Sequence, residues 1–118
     1  MTETETLVNR IKEGLQEKKG RRIVIVDMTA LEAVCSYFVI CEGTSNTHIN
    51  AVTDAALEYV RTTTGLKPLA VDGLSNATWV AVDYGDVMVH VFDQASRQYY
   101  NLEHLWSDAK LTVVPDLV

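Results

Sequence analysis

The fold is decided by residues 79–92, which read Trp79-Val80-Ala81-Val82-Asp83-Tyr84-Gly85-Asp86-Val87-Met88-Val89-His90-Val91-Phe92. Valines recur at every second position on both sides of Tyr84-Gly85, and the glycine supplies the positive φ that a tight turn needs. We therefore predict a β-hairpin with strands over residues 78–82 and 86–92. A two-residue turn at Tyr84-Gly85 would place three pairs opposite each other: Asp83 and Asp86, Ala81 and Met88, and Trp79 and His90.

The alternation assigns the side chains to two faces, because successive residues of a strand point to opposite sides. The valine face is predicted to be core and consists of Val80, Val82, Val87, Val89 and Val91. The aromatic face mixes rings, a methionine and carboxylates, as partner-binding surfaces do, and consists of Trp79, Ala81, Asp83, Asp86, Met88, His90 and Phe92. The alternative is that a helix covers the aromatic face and Trp79 packs inside with its N–H bonded. A register shift of one residue would exchange the faces.

The rest of the chain predicts helices and short strands around this hairpin. Apolar spacing predicts helices over residues 4–18, from an N-cap at Thr44 or Ser45 to about residue 63, and over 96–101, with a further turn over 102–106. Continuous apolar runs predict buried strands over 23–26 and 37–41, and a short edge strand over 69–71 follows Pro68. These elements predict a single α/β (α+β) domain over residues 1–118, with a mixed sheet flanked by helices.

The charge of the chain is unevenly distributed. Sixteen acidic and ten basic residues give a net charge of −6. Residues 1–22 carry six basic and four acidic residues, whereas the remainder carries four basic and twelve acidic ones, a net charge of −8. An acidic body repels phosphate backbones, so we expect little direct nucleic-acid contact and a basic protein partner.

Composition excludes several classes of protein. Apolar residues make up 47% and charged residues 22%, which excludes a disordered chain, and no apolar stretch approaches the roughly 20 residues that cross a bilayer. Two cysteines, Cys35 and Cys41, are too few for a disulfide scaffold or a zinc set. The first residues resemble neither a signal peptide nor an organelle presequence, so we expect a cytoplasmic protein with free thiols.

Features that could carry catalysis are weak. Gly43-Thr44-Ser45 between a strand and a helix could face a phosphate, but it lacks both nucleotide-binding fingerprints, and a helix cap is the simpler interpretation. Asp83 and Asp86 could hold a divalent metal, although carboxylates beside a turn are usually solvated. The three histidines have no partners at triad spacing. We expect neither a metal nor a cofactor.

Three blocks of the sequence carry a family resemblance. They are residues 38–45 with His48, then Val71-Asp72-Gly73 with residues 79–92, and the closing stretch Arg97-Gln98-Tyr99-Tyr100-Asn101-Leu102-Glu103-His104-Leu105-Trp106. Together they closely resemble the ribosomal silencing factor family, also called Iojap. The similarity covers about residues 5–110.

The resemblance implies a domain related to the nucleotidyltransferase fold, without catalysis. It implies binding to the large ribosomal subunit through its fourteenth ribosomal protein, steric block of association with the small subunit, and repression of translation under nutrient limitation. The implied contact surface, with Ala81 added from the aromatic face, is Trp79, Ala81, Asp83, Tyr84, Gly85, Asp86, Met88 and His90. Homodimers occur in the family, and the sequence does not fix one.

Two alternatives come from other classes. The first is a small Mg²⁺-dependent nucleotidyltransferase that uses Gly43-Thr44-Ser45 and acidic residues. The second is a generic dimeric adaptor. The sequence argues against the enzyme because no Asp-x-Asp pair follows the Gly-Thr-Ser helix on a strand, where it would hold two metal ions.

Overall fold

A computed structural model describes residues 2–31, 33, 35–105 and 108–117. Its elements follow the chain as α1 (Glu3–Glu17), β1 (Arg21–Asp27), β2 (Tyr37–Glu42), α2 (Asn46–Thr64), β3 (Ala70–Asp72), β4 (Trp79–Asp83), β5 (Val87–Phe92), α3 (Gln94–Tyr100), α4 (Leu102–Leu105) and β6 (Lys110–Val113). The strands form one sheet in the order β3-β4-β5-β2-β1-β6. The predicted mixed sheet flanked by helices is confirmed, because β2 and β5 run parallel and the other pairings are antiparallel.

The two long helices begin and end where local chemistry dictates. Thr2 and Glu5 form a reciprocal capping box at the start of α1, and the Ser45 hydroxyl accepts the His48 N–H at the start of α2. Gly65 ends α2 in the left-handed conformation at φ +78°. The predicted helices over 4–18 and to about 63 are thus confirmed within a residue or two, and Ser45 is the N-cap.

Both long helices pack on the valine face. The five valines of the hairpin are at most 3% exposed and lie under apolar stripes of α1 and α2, which include Leu7, Ile11, Leu15, Ile49, Val52 and Val60. The helices cross closely at Gly14, where an added Cβ would lie 2.8 Å from the Cα atom of Ala56. The prediction that the valine face is core is confirmed.

The predicted pairing of the hairpin is wrong by two residues. The turn is centred on Gly85 and Asp86, because the Tyr84 N–H donates to the Val87 carbonyl at 2.9 Å. Asp83 therefore lies opposite Met88, with the remaining pairs following: Ala81 opposite His90 and Trp79 opposite Phe92. The cause is an Asp83 carboxylate that accepts the Gly85 N–H at 2.7 Å, with Gly85 at φ +90°. A shift of two residues leaves every side chain on its predicted face.

The remaining elements agree with the sequence in type and differ in extent. The edge position of the strand near Pro68 is confirmed, since β3 pairs with β4 alone. The short helix begins at Gln94, two residues before its predicted start, because the Asp93 side chain caps it. The predicted turn over 102–106 is the helix α4, and Trp106 lies outside the described residues.

The sequence did not predict β6. This strand pairs antiparallel with β1 at the sheet edge, with Val113 opposite Val24. Asp116 beyond it accepts the backbone N–H of Arg22 at 2.8 Å, where β1 carries a bulge and Arg22 has φ +52°. Among the described residues, no helix is long and apolar enough to cross a bilayer.

Candidate functional site

The structure distributes the predicted site residues over four environments. Four of them form a partly exposed row on the aromatic face, Trp79, Ala81, Asp83 and Met88. Gly85 and Asp86 are exposed at the tip of the hairpin. His90 is buried on the aromatic face, and Tyr84 packs against the helix-covered core on the opposite side. A partner that approaches the aromatic face can therefore contact the first two groups directly, whereas His90 and Tyr84 lie behind them.

Trp79 and His90 are joined by a side-chain hydrogen bond. The indole N–H of Trp79 donates to Nδ1 of His90 at 3.0 Å. Since an indole only donates, Nδ1 is an acceptor and the imidazole proton lies on Nε2. His90 is 4% exposed, and burial lowers its pKa to about 4. The imidazole is therefore neutral at neutral pH and holds Trp79 in one orientation.

Further rings surround this pair. The Trp79 ring centroid lies 4.5 Å from that of Tyr100 in α3 and 5.2 Å from that of Phe92. Phe38 of β2 meets His90 edge-on at 4.7 Å. Trp79 is thus half-buried, with its N–H bonded and one side against α3, so the structure lies between the exposed and the helix-covered interpretations of the aromatic face.

The hairpin tip presents carboxylates on a fixed backbone. The Asp83 carboxylate binds the Gly85 N–H, while the carbonyl of Asp86 accepts the N–H groups of Ser36 and Tyr37. The Asp86 side chain stays exposed. Within the described part of the chain, no group of three or more His, Cys, Asp or Glu residues could hold a metal ion. The tip is therefore an exposed acidic turn.

Tyr84 anchors the hairpin from the other side. Its ring packs on the helix-covered core, and burial raises the pKa of its hydroxyl to about 12. The hydroxyl oxygen has no hydrogen-bond partner among the described residues. Tyr84 therefore supports the hairpin from the helix-covered side of the sheet.

The sequence did not predict an ionic network that lies beside the aromatic face and centres on a buried arginine. Arg97 of α3 is 4% exposed; its Nε donates to Glu103 at 2.9 Å, and its Nη1 donates to the Arg22 carbonyl at 2.6 Å and lies 3.4 Å from Glu42. Arg22 also reaches Glu42, at 3.0 Å. One signal could have revealed the network: Glu42 ends a continuously apolar strand, and a buried carboxylate requires a cationic partner.

In the Gly43-Thr44-Ser45 loop, the N–H groups of Gly43 and Thr44 donate to partners within the protein. Gly43 donates to the Phe92 carbonyl at 2.9 Å, and Thr44 donates to Nδ1 of His48 at 2.9 Å. Nε2 of His48 donates to the Lys18 carbonyl at 2.8 Å, which ties the end of α1 to the start of α2. The depression beside this loop is lined by Glu42, Asp93 and Asp116 as well as by Arg21 and Arg22. Such a loop is a helix cap and offers little to a phosphate.

The cysteines are equally unsuited to chemistry. Cys35 and Cys41 are both free and buried. Burial raises the pKa of both thiols, that of Cys41 to about 12. Neither is a thiolate nucleophile at neutral pH.

Comparison with known proteins agrees with this architecture. The protein is 39% identical over 95 residues to the ribosomal silencing factor RsfS of Bacillus subtilis, which covers 80% of each chain. It is 27% identical over 95 residues to the mouse protein named mitochondrial assembly of ribosomal large subunit protein 1, which covers 79% of this chain and 42% of the mouse protein. A crystal structure of a protein from Chromobacterium violaceum superposes with a TM-score of 0.84 at 28% identity, covering 97% of this chain and 94% of that one.

A family model agrees over the whole chain. The model described as "Ribosomal silencing factor during starvation" matches residues 1–118, which includes β6 and the tail beyond it. This family consists of regulatory proteins associated with the ribosome. With the fold, the hairpin and the relatives in agreement, the chain belongs to the ribosomal silencing factor family.

Proposed function

We propose that this protein binds the large ribosomal subunit through its fourteenth ribosomal protein and thereby prevents the small subunit from joining, which represses translation when nutrients are scarce. The observation that carries the proposal is the aromatic face, where a half-buried, oriented tryptophan lies at one end of β4 and an acidic hairpin tip lies beyond the other end. The description of the family, which names starvation, and the mouse relative's name, which refers to the large subunit, support the same direction.

The proposed contacts follow from exposure. Trp79, Ala81 and Met88 supply the apolar centre, and Asp83, Gly85 and Asp86 supply a polar rim. Aromatic residues and methionine are enriched at such centres, and rim charges mainly set orientation and association rate. His90 and Tyr84 serve the same site indirectly, by fixing Trp79 and the hairpin.

Charge favours protein over RNA as the main partner. Outside residues 1–22 the chain carries twelve acidic and four basic residues. Such a surface is repelled by phosphate and attracted by a basic ribosomal protein. We propose that the protein acts in the cytoplasm, without catalysis and without a cofactor, as a steric block.

Sedimentation with isolated subunits tests the proposal. The protein should pellet with large subunits and not with small ones. Its binding should weaken with added salt less steeply than that of a protein that neutralises about six phosphates, because counterion release scales with the phosphates contacted. A steeper dependence, or equal binding to both subunits, would contradict the proposed partner.

Photo-crosslinking identifies the partner directly. A photoreactive p-benzoylphenylalanine in place of Ala81 stands in the middle of the aromatic face, and the same residue in place of Leu66, exposed beside the long helices, is the control. Position 81 should crosslink to the fourteenth protein of the large subunit, and position 66 should not. A dominant crosslink from position 81 to ribosomal RNA or to another protein would overturn the assignment.

A further inference from the structure

Helix α3 is a short helix that buries its arginine and exposes two tyrosines. Over Gln94–Tyr100, Arg97 is 4% exposed, whereas Tyr99 is 82% exposed and Tyr100 is 45% exposed. The two exposed rings are neighbours on one helix, and contiguous exposed apolar patches mark interaction sites.

The helix is fixed at both ends and in the middle. Asp93 caps its start by accepting the Ser96 N–H at 2.7 Å, and Asn101 ends it in the left-handed conformation. Arg97 bonds Glu103 and the Arg22 carbonyl, which ties α3 to α4 and to β1. The two tyrosines are therefore presented on a rigid support, and little entropy is lost when a partner orders them.

The tyrosines continue the aromatic face. Tyr100 lies 4.5 Å from Trp79 between ring centroids, and Tyr99 meets Tyr100 edge-on at 5.0 Å and 87°. The rings of Trp79, Tyr100 and Tyr99 thus form one continuous aromatic surface from the sheet onto α3, which we call the aromatic step. A partner seated on Trp79 is therefore brought against both tyrosines.

The surroundings of the aromatic step are acidic. Residues 79–105 contain four carboxylates and one arginine. Asp93 and Glu103 lie beside α3, whereas Asp83 and Asp86 lie at the end of the hairpin away from Trp79. That arginine is buried and forms ion pairs with Glu42 and Glu103, so its positive charge is already paired inside the protein. Aromatic faces in an acidic setting attract cations, both through the ring quadrupole and through the net field.

From this geometry we infer that Tyr99 and Tyr100 are a second wall of the docking surface and receive a lysine or arginine side chain of the basic ribosomal protein. The inference rests on the proposed function, since it adds a subsite to the same face. Arg97 is a positioning residue for this wall. The rings contact one another, so the cation would lie over the exposed face of Tyr99 or Tyr100. It would be desolvated when the partner covers it, and cation–π contacts are stronger when desolvated.

Graded substitutions at Tyr99 test the inference, because this exposed side chain can be changed without disturbing the core. Tyr99→Phe keeps the π face, and Tyr99→Leu keeps an apolar side chain without one. In sedimentation with isolated large subunits, Tyr99→Phe should bind within about twofold of wild type, and Tyr99→Leu should bind about threefold to tenfold more weakly. Tyr100→Phe and Tyr100→Leu should follow the same order, and Leu66→Ala, 47% exposed, is the control that should leave binding unchanged.

The outcomes separate the two proposals. Equal binding by Tyr99→Leu and wild type, with Trp79→Ala impaired, overturns the tyrosine subsite and leaves the proposed function standing. Absence of wild-type binding to large subunits overturns both. A titration with a mixed-sequence single-stranded RNA oligonucleotide completes the test: the wild type should not bind it, and binding that Tyr99→Leu abolishes would show that the rings stack on bases and would overturn the cationic occupant.

Discussion

The valine face and the aromatic face belong to the same sheet, and they differ in what they bury. The valine face buries aliphatic side chains under α1 and α2, and its hairpin row is valine at every position. The aromatic face buries polar groups among its apolar ones: His90, Glu42 and Arg97 all lie on its side, each less than 9% exposed. Two long helices cover the first face, whereas the second is covered by short segments and leaves Trp79 half-exposed.

The difference separates stability from recognition. Aliphatic burial is non-directional and tolerates any arrangement that fills space, so the valine face contributes stability. Buried polar groups require specific partners, which fixes the positions of the side chains around them. The aromatic face therefore holds its rings and carboxylates in a defined arrangement, as the proposed docking requires. Substitutions on the two faces should have different consequences.

The largest effect is expected on the valine-face core. Ile49→Ala removes a fully buried side chain of α2 and should lower the free energy of unfolding by about 3 to 4 kcal/mol, through lost burial and the cavity left behind. Urea unfolding followed by circular dichroism measures it. The fraction that remains folded should bind large subunits as the wild type does. Weaker binding by folded Ile49→Ala would mean that the two faces are not separable.

Breaking the ionic network should cost nearly as much. Arg97→Ala leaves Glu103 without its arginine and Glu42 with Arg22 alone, and loss of one partner from a buried ion pair should lower the free energy of unfolding by about 3 kcal/mol. Arg97→Lys should not restore stability, because the guanidinium bonds two partners in a fixed fork. Hydrogen exchange of α3 amides should accelerate in both variants. Unchanged exchange would show that the caps alone hold the helix.

Substitution of Trp79 should change both the free energy of unfolding and the binding to large subunits. Trp79→Ala removes a half-buried ring and should lower the free energy of unfolding by about 2 kcal/mol, less than a full core position. Binding to large subunits should weaken by tenfold or more, as for an aromatic anchor. Urea unfolding and sedimentation of the same preparation measure the two effects. Loss of stability with normal binding would reduce the aromatic face to a second core.

The pH dependence of the free energy of unfolding should show the contribution of the buried, neutral His90 side chain. Its folded-state pKa of about 4 lies below its ordinary value of 6.5, so the unfolded chain binds more protons between these values. The stabilisation is complete above pH 6.5 and is lost as the pH falls towards 4, by about 2 kcal/mol between roughly pH 7 and pH 5. His90→Asn keeps an acceptor for Trp79 without a titrating group and should remove this part of the dependence. Identical profiles for the variant and the wild type would contradict the assignment.

The alternation of apolar and polar residues predicted both faces of the hairpin but not its exact pairing. The predicted faces are correct although the predicted turn is wrong, because the pairing differs by two residues and side chains alternate with a period of two. The pairing itself depended on the Asp83 side chain bonding the Gly85 N–H, a detail that alternation does not contain. A Tyr84-Gly85 turn and a Gly85-Asp86 turn fit the same sequence pattern.

The unpredicted features join distant parts of the chain. Strand β6 is short and exposed, and its pairing with β1 depends on contacts such as that between Asp116 and Arg22. Arg97 meets Glu42 only after the sheet and α3 are assembled. Tyr100 joins the site because α3 folds back onto Trp79. The candidate site was therefore predicted where it lies on one hairpin and missed where a second element completes it.

Subunit joining tests the central claim most directly. Separated large and small subunits are mixed with a saturating amount of the protein, which is added either before joining or to ribosomes already formed, and the yield of joined ribosomes is measured by sucrose-gradient sedimentation. A steric block requires the protein to arrive first, so addition before joining should strongly reduce the yield, and addition afterwards should have less effect. Trp79→Ala should lose most of this inhibition. Joining at the same rate and extent with saturating wild-type protein would contradict the account.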